Sequence, residues 1–202
     1  MKKAALKKPN DLPALLAEIR ACRICERYIE PRPIIRASKT AKICIIAQAP
    51  GIRVHETGLS FNDPSGDRLR DWLGVDRETF YDESKIAIIG MGFCFPGHDA
   101  HGGDRPPRKE CAPAWHEKLF TTLPPFKLTL LVGSYALDHH LGGRAKANMT
   151  ETVRAWREYG PRIIPLPHPS WRNNSWLNKN RWFAAETLPY LRGRVRRLLA
   201  QS

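Results

Sequence analysis

Apolar positions along the chain fall into short continuous runs separated by segments with a helical repeat. Residues 42–47, Lys42-Ile43-Cys44-Ile45-Ile46-Ala47, are apolar and β-branched without alternation, as a strand covered on both faces requires. Similar runs at 85–91, 127–133 and 162–166 predict three more strands. The segments around them read as helices. One is expected over 10–26, capped by Asn10 or Asp11, with Leu12, Leu15, Leu16 and Ile19 as its apolar stripe. Others are expected over 65–73, closed by Gly74, over 113–122, over 150–159 and over 182–199, the last bent at Pro189. A short helix should follow the third strand. Strands alternating with helices imply an α/β fold, a parallel sheet with helices on both faces.

Three strand ends, after Ala47, Met91 and Leu166, open into loops rich in Gly, Pro, His and Asn. Open α/β sheets bind their ligands at the carboxyl ends of the strands, so the unusual residues gather where this architecture keeps its sites.

Composition narrows the class. A chain of 202 residues suits one domain over 1–202, with residues 1–9 as a flexible basic tail, and 42% hydrophobic residues exclude wholesale disorder. No stretch reaches the ~20 apolar residues of a membrane span. The basic start lacks the apolar run of a signal peptide, so a soluble, cytoplasmic monomer is expected. The net charge of +13 attracts polyanions, nucleic acid first and an anionic membrane surface second. Much of that excess sits at the ends, in Lys2 to Lys8 and in Arg192, Arg194, Arg196 and Arg197, where solvated helix faces would also carry it. Five cysteines without a secretory signal argue against a disulfide framework and toward metal or buried thiols.

Two segments carry the candidate chemistry. The first runs from Gln48-Ala49-Pro50-Gly51 through Gly58-Leu59-Ser60-Phe61-Asn62-Asp63-Pro64. A strand ending in Pro-Gly, a polar loop with one aromatic and a helix start form a pocket floor with exposed amides, or merely a turn. The second is Pro167-His168-Pro169-Ser170-Trp171-Arg172-Asn173. Two prolines stiffen the backbone around the imidazole, and Trp171 and Arg172 pair a stacking wedge with a phosphate-binding fork.

Together the two segments resemble motifs A and B of the uracil-DNA glycosylase superfamily, best its iron–sulfur family 4 branch and related short bacterial homologues, over roughly residues 15 to 195. The Gln-Ala-Pro-Gly motif, Thr57-Gly58-x-x-Phe61 and His-Pro-Ser stand in the family's order. The resemblance implies a three-layer α/β/α sandwich around a four-stranded parallel sheet. It also implies a repair glycosylase that extrudes uracil, or another deaminated base, from DNA before cutting its glycosidic bond. A binder of uracil-containing or abasic DNA without turnover is the alternative.

By that resemblance, Phe61 stacks on the flipped base and His168 donates to the uracil O2 as charge develops there. Ala49, Pro50, Gly51 and Asn62 line the base pocket. Ser170, Trp171, Arg172 and Asn173 meet the DNA. Motif A here holds Gln48 and Ala49, neither ionisable, where family members often carry an acid or amide. Gln48 would orient a water, and the carboxylate must come from elsewhere, from Asp63 in preference to Glu56, with His55 beside it open to either role. Family 4 also reads the uracil edge with an Asn after the second strand, where this chain has Gly90. The loop 97–105, with His98 and His101, is read as a DNA-facing surface.

Cys22 and Cys25 have the two-residue gap that lets two thiolates grip one metal centre. With Cys94 and Cys111 they resemble the ligand set of the family 4 [4Fe–4S] cluster, zinc being the alternative. Cys44 reads as a small core residue, and Trp72, Trp115, Trp156, Trp176 and Trp182 as packing.

Overall fold

The computed structural model describes residues 11–200; the predicted basic tail, residues 1–9, lies outside them. Four parallel strands form the sheet: β1 (Ile43–Ala47), β2 (Ile86–Gly90), β3 (Leu128–Val132) and β4 (Ile163–Leu166), in the order β2-β1-β3-β4. β1 pairs with β2 and β3, Ile45 lying opposite Ile88 and Leu130, and every residue of β1 is buried. That burial on both faces is the reason the strand reads as an unbroken apolar run. The chain leaves β1 toward one edge and then crosses back to β3, so the topological switch point lies between β1 and β3. Here the helices on either side diverge and leave a crevice at the strand ends.

The helices are α1 (Leu12–Arg20), α2 (Ile52–Thr57), α3 (Pro64–Leu73), α4 (Arg77–Tyr81), α5 (Cys111–Thr122), α6 (Ser134–Leu141), α7 (Met149–Arg154), α8 (Asn174–Lys179) and α9 (Leu188–Leu199). They complete a three-layer α/β/α sandwich, with α1 packed on α5, α3 on α9, and α6 against β3 and β1. Leu69, Phe80, Leu119, Phe183, Leu191 and Val195 join the strand residues in one hydrophobic core. Trp72, Trp115 and Trp156 are buried, while Trp176 and Trp182 pack on the core from its margin. Cys44 is fully buried in β1. No helix among the described residues is long and apolar enough to cross a membrane.

Several boundaries differ from expectation for local reasons. α1 starts as predicted, with the Asp11 carboxylate accepting from the Ala14 N–H at 3.3 Å, but it ends at Arg20 rather than residue 26. Its buried stripe stops at Ile19, and the following residues turn, with Ile24 54% and Tyr28 63% exposed; a longer helix would have had no apolar face to bury. The predicted helix over 150–159 is α7 followed by a 3-10 turn, Trp156–Tyr159. The helix expected over 182–199 runs unbroken but changes pitch: a π-helical turn, Phe183–Thr187, leads into α9, and Pro189, which has no N–H to donate, stands just after that turn. The short helices α2, α4 and α8 were not legible; five or six residues carry too little periodicity.

Candidate active site

A cleft of about 670 Å³ opens at the carboxyl ends of β1 and β4. Gln48, Ala49, Pro50 and Gly51 line it from the first motif, with Phe61 and Asp63 from the same loop. His168, Ser170, Trp171, Arg172 and Asn173 line it from the second. Two stretches more than a hundred residues apart in sequence are thus brought onto one cavity. Asn62 lies outside this cleft, its amide oxygen accepting from Arg77 at 3.0 Å, and Glu56 is exposed on a neighbouring groove. His55 is buried and pairs with Glu30 at 3.3 Å.

His168 follows β4 directly and packs over Gly133, whose φ of +83° at the end of β3 is open to glycine and strained for other residues. The Ser170 N–H donates to Nδ1 of His168 at 3.2 Å, and the Asn173 side-chain amide donates to the His168 carbonyl at 2.7 Å. A ring accepting at Nδ1 carries its neutral-state proton on Nε2, so the second motif itself selects the tautomer. Burial holds the imidazole below its ordinary pKa, outweighing the opposite pull of Asp63. The outcome is a neutral imidazole on the cleft lining with one N–H to offer. Arg68 of α3 donates to the Ser170 carbonyl at 3.1 Å and ties the two motif segments together.

Phe61 has a positive φ of 55°, the only non-glycine residue described with one. Its carbonyl accepts from Arg70 at 3.3 Å and from the Tyr81 hydroxyl at 3.1 Å, while its ring meets Phe80 edge-on, with centroids 6.1 Å apart. A Cβ on Gly66 would fall 1.8 Å from that same carbonyl oxygen, so the close approach depends on glycine. Backbone strain of this kind persists only where the surroundings over-determine it, and here they fix an aromatic ring on the cleft lining. Asp63 caps α3, one carboxylate oxygen accepting from the Gly66 N–H at 2.8 Å.

The sequence model of the uracil DNA glycosylase superfamily matches residues 35–192, a span that contains every residue lining the cleft except Ile34. The chain belongs to that superfamily. Membership points to a glycosylase acting on damaged bases in DNA.

Within this superfamily scaffold, Gly90 at the end of β2 has no space for a larger residue. A Cβ there would lie 2.3 Å from the Gly92 carbonyl oxygen, so an Asn at this point would demand a different backbone. The chain has closed that side of the cleft with main chain instead, the Gly92 N–H donating to the Gln48 carbonyl at 2.9 Å.

Sequence reasoning overlooked Asp104. The loop 97–105 is a narrow hairpin: the Asp99 N–H donates to the Gly103 carbonyl at 2.7 Å and the Arg105 N–H to the Gly97 carbonyl at 2.9 Å. The Asp99 carboxylate braces its tip by accepting the N–H groups of His101 and Gly103, both at 2.8 Å. This hairpin carries Asp104 to the cleft lining, where one oxygen is 3.3 Å from Nδ1 of His98. The other would sit 3.2 Å from a Cβ on Gly51, against the first motif. Partial burial raises the Asp104 pKa, against the pull of His98 and Arg172 and with help from Asp63. A signal existed, since a Gly-Gly-Asp following two histidines presents one acid on a tight turn, but its partner Gly51 is visible only in three dimensions.

The cysteines gather away from the cleft. Cys22, Cys25, Cys94 and Cys111 line one small cavity of about 20 Å³ with Ile24, Phe93 and Trp115. All four are free and partly buried. Burial, reinforced by the neighbouring cysteines, lifts Cys94 to about 11 and Cys111 to about 12, so as bare thiols they stay protonated. Arg108 favours a thiolate at Cys25 and Arg23 at Cys94, but burial outweighs both. Four cysteines lining one apolar cavity offer thiols that a metal centre, if bound there, would supply the charge to deprotonate.

Proposed function

We propose that the protein is a monofunctional DNA glycosylase that hydrolyses the N-glycosidic bond of uracil, or of another deaminated base, after the nucleotide leaves the helix. The observation carrying this reading is the neutral His168, its Nε2–H set by the Ser170 N–H and held on the same cleft as the strained Phe61. As the C1′–N bond breaks, its electron pair passes to the base and spreads onto the carbonyl oxygen. A neutral N–H donor stabilises that charge without protonating the base outright, a contribution of about 3–4 kcal/mol to the barrier. Phe61 stacks on the base, and Gln48 with the amides of the first motif meets its edge, the role vacated at Gly90. The position of Asn62 argues for leaving it out of base recognition.

Water completes the reaction by adding to C1′ and losing its proton, which yields the abasic sugar and the free base. Two carboxylates line the cleft. Asp63 has an oxygen committed to the α3 cap, whereas Asp104 leans on Gly51 with its pKa raised toward the range of a useful base. Asp104 is therefore assigned the water, and Asp63 the support of positive charge on the sugar. Trp171, 72% exposed beside Arg172, suits entry into the gap left by the flipped nucleotide, and the +13 charge suits the DNA backbone.

Cys22, Cys25, Cys94 and Cys111 would hold a [4Fe–4S] cluster, with zinc the alternative. Such a centre supplies a cross-link between the turn after α1, the loop after β2 and the start of α5, and carries no step of the reaction. The reading is tested by incubating the purified protein with oligonucleotides bearing uracil, hypoxanthine or xanthine and then cleaving abasic sites with alkali. Strand scission that depends on His168 is expected. Retention of damaged DNA without release of any free base would replace the enzyme with a binding protein.

A further inference from the structure

Outside the linings of the cleft and of the cysteine cavity, but next to each through Gly90 and Phe93, three imidazoles converge between α5 and α6. His116 lies on α5, and His139 and His140 are successive residues of α6. One ring nitrogen of each lies within 4.8 Å of those of the other two. The rings of His116 and His140 stack with centroids 5.6 Å apart, and Phe93 and Phe120 close around His116.

The hydrogen bonding of this group is incomplete in a directed way. The Nε2 of His116 lies 3.0 Å from the Gly90 carbonyl oxygen, which can only accept, so the ring donates there and leaves a lone pair on Nδ1. That Nδ1 is buried and has no hydrogen-bond partner among the described residues, and the buried Nε2 of His140 has none among them either. Two buried nitrogens without partners in one cluster call for an occupant. A ring whose far nitrogen is bonded to a backbone carbonyl is oriented as a metal-ligating histidine is, with its tautomer and direction fixed from behind.

We propose that His116, His139 and His140 form a binding site for a divalent transition cation of the zinc class. Three neutral imidazoles suit zinc, copper, nickel or cobalt and disfavour magnesium and calcium, which need oxygen donors. Burial keeps the rings unprotonated at neutral pH: it lowers His116 and takes His140 to about 4. His139, the exposed member, stands at the entrance, and three protein ligands leave a position for water. Nitrogen–metal bonds of ~2.0–2.1 Å require the donors to close on one another, which rotation of the exposed ring permits. The occupied site would fasten α6, which follows β3, to α5, and through His116 to the end of β2 at Gly90.

The test uses the full-length protein, with any cluster left in place, and zinc or cobalt(II) as the probe. Wild type should take up one equivalent beyond whatever the cysteines hold. Its cobalt form should show d–d bands without added thiolate-to-metal charge transfer. Saturating zinc should raise the Tm by about 5 °C. His139→Ala, at an exposed position, should weaken this equivalent at least tenfold and abolish the thermal shift, and His140→Gln should do the same. Cys22→Ser with Cys25→Ser should leave it intact. The site is refuted if wild type binds no such equivalent, or if His139→Ala and His140→Gln bind it as wild type does.

Discussion

Two walls of the cleft do the same work by different means. The wall after β4 is stiff in its own sequence: Pro167 and Pro169 bracket His168, and Ser170, two residues on, fixes the ring's tautomer. The other wall is a surface hairpin, residues 97–105, whose Asp104 reaches the site only because the turn is braced by Asp99 and rests against Gly51. Local covalent restraint thus positions the donor proposed for the leaving base, and tertiary contact positions the acid proposed for the water. The first wall should tolerate little change. The second should be sensitive to its neighbours as much as to its own residues.

The largest effect is expected at the stiff wall. His168→Ala should lower single-turnover excision of uracil about 10²- to 10³-fold with DNA binding retained, because only the donor to the developing anion is lost. A loss under threefold would remove His168 from the chemistry. Asp104→Asn should cost about 10²-fold in the same assay. Asp63→Asn, which keeps a capping side chain, should cost about tenfold or less. The reverse ranking would exchange the roles assigned to the two acids. The raised Asp104 pKa also predicts an acid limb in the pH–rate profile of wild type, lost in Asp104→Asn.

Trp171→Ala should weaken binding to uracil-containing DNA about tenfold while leaving the Tm unchanged, since the ring is 72% exposed and supports no packing. The smallest effect is one of linkage. Burial holds the folded-state pKa of His168 below its ordinary value, so the unfolded chain takes up the proton first as the pH falls below ~6.5. Stability should therefore be full above that pH and decline beneath it. Chemical denaturation between pH 7.5 and 5 should show a shallower decline in His168→Gln.

The difference between the walls is also the difference in what could be read in advance. His168, Gln48, Pro50 and Phe61 announced themselves through short-range patterns, Cys22 and Cys25 through their spacing, and Cys94 and Cys111 through the family resemblance. Asp104 did not, because an acid in a Gly-rich loop looks like any solvated charge until the loop is seen to fold over Gly51. Asn62, expected at the base pocket, lies outside the cleft for the complementary reason. It sits between two cleft residues in sequence, but the strained φ at Phe61 precedes it and Arg77 holds its side chain outside. The imidazole trio escaped notice because His116 and the pair His139-His140 belong to different helices, and only the packing of α5 and α6 sets their rings together.

By itself the sequence determined the strands, because a strand buried on both faces must be continuously apolar, and with them the parallel α/β architecture. It also determined the stiffness around His168, because proline restricts the backbone wherever it stands. The tertiary structure alone decided which acids face the cleft, which amide turns away, and which nitrogens are left without partners among the described residues. Those outcomes depend on the distance between residues far apart in the chain, and burial and electrostatics act through space.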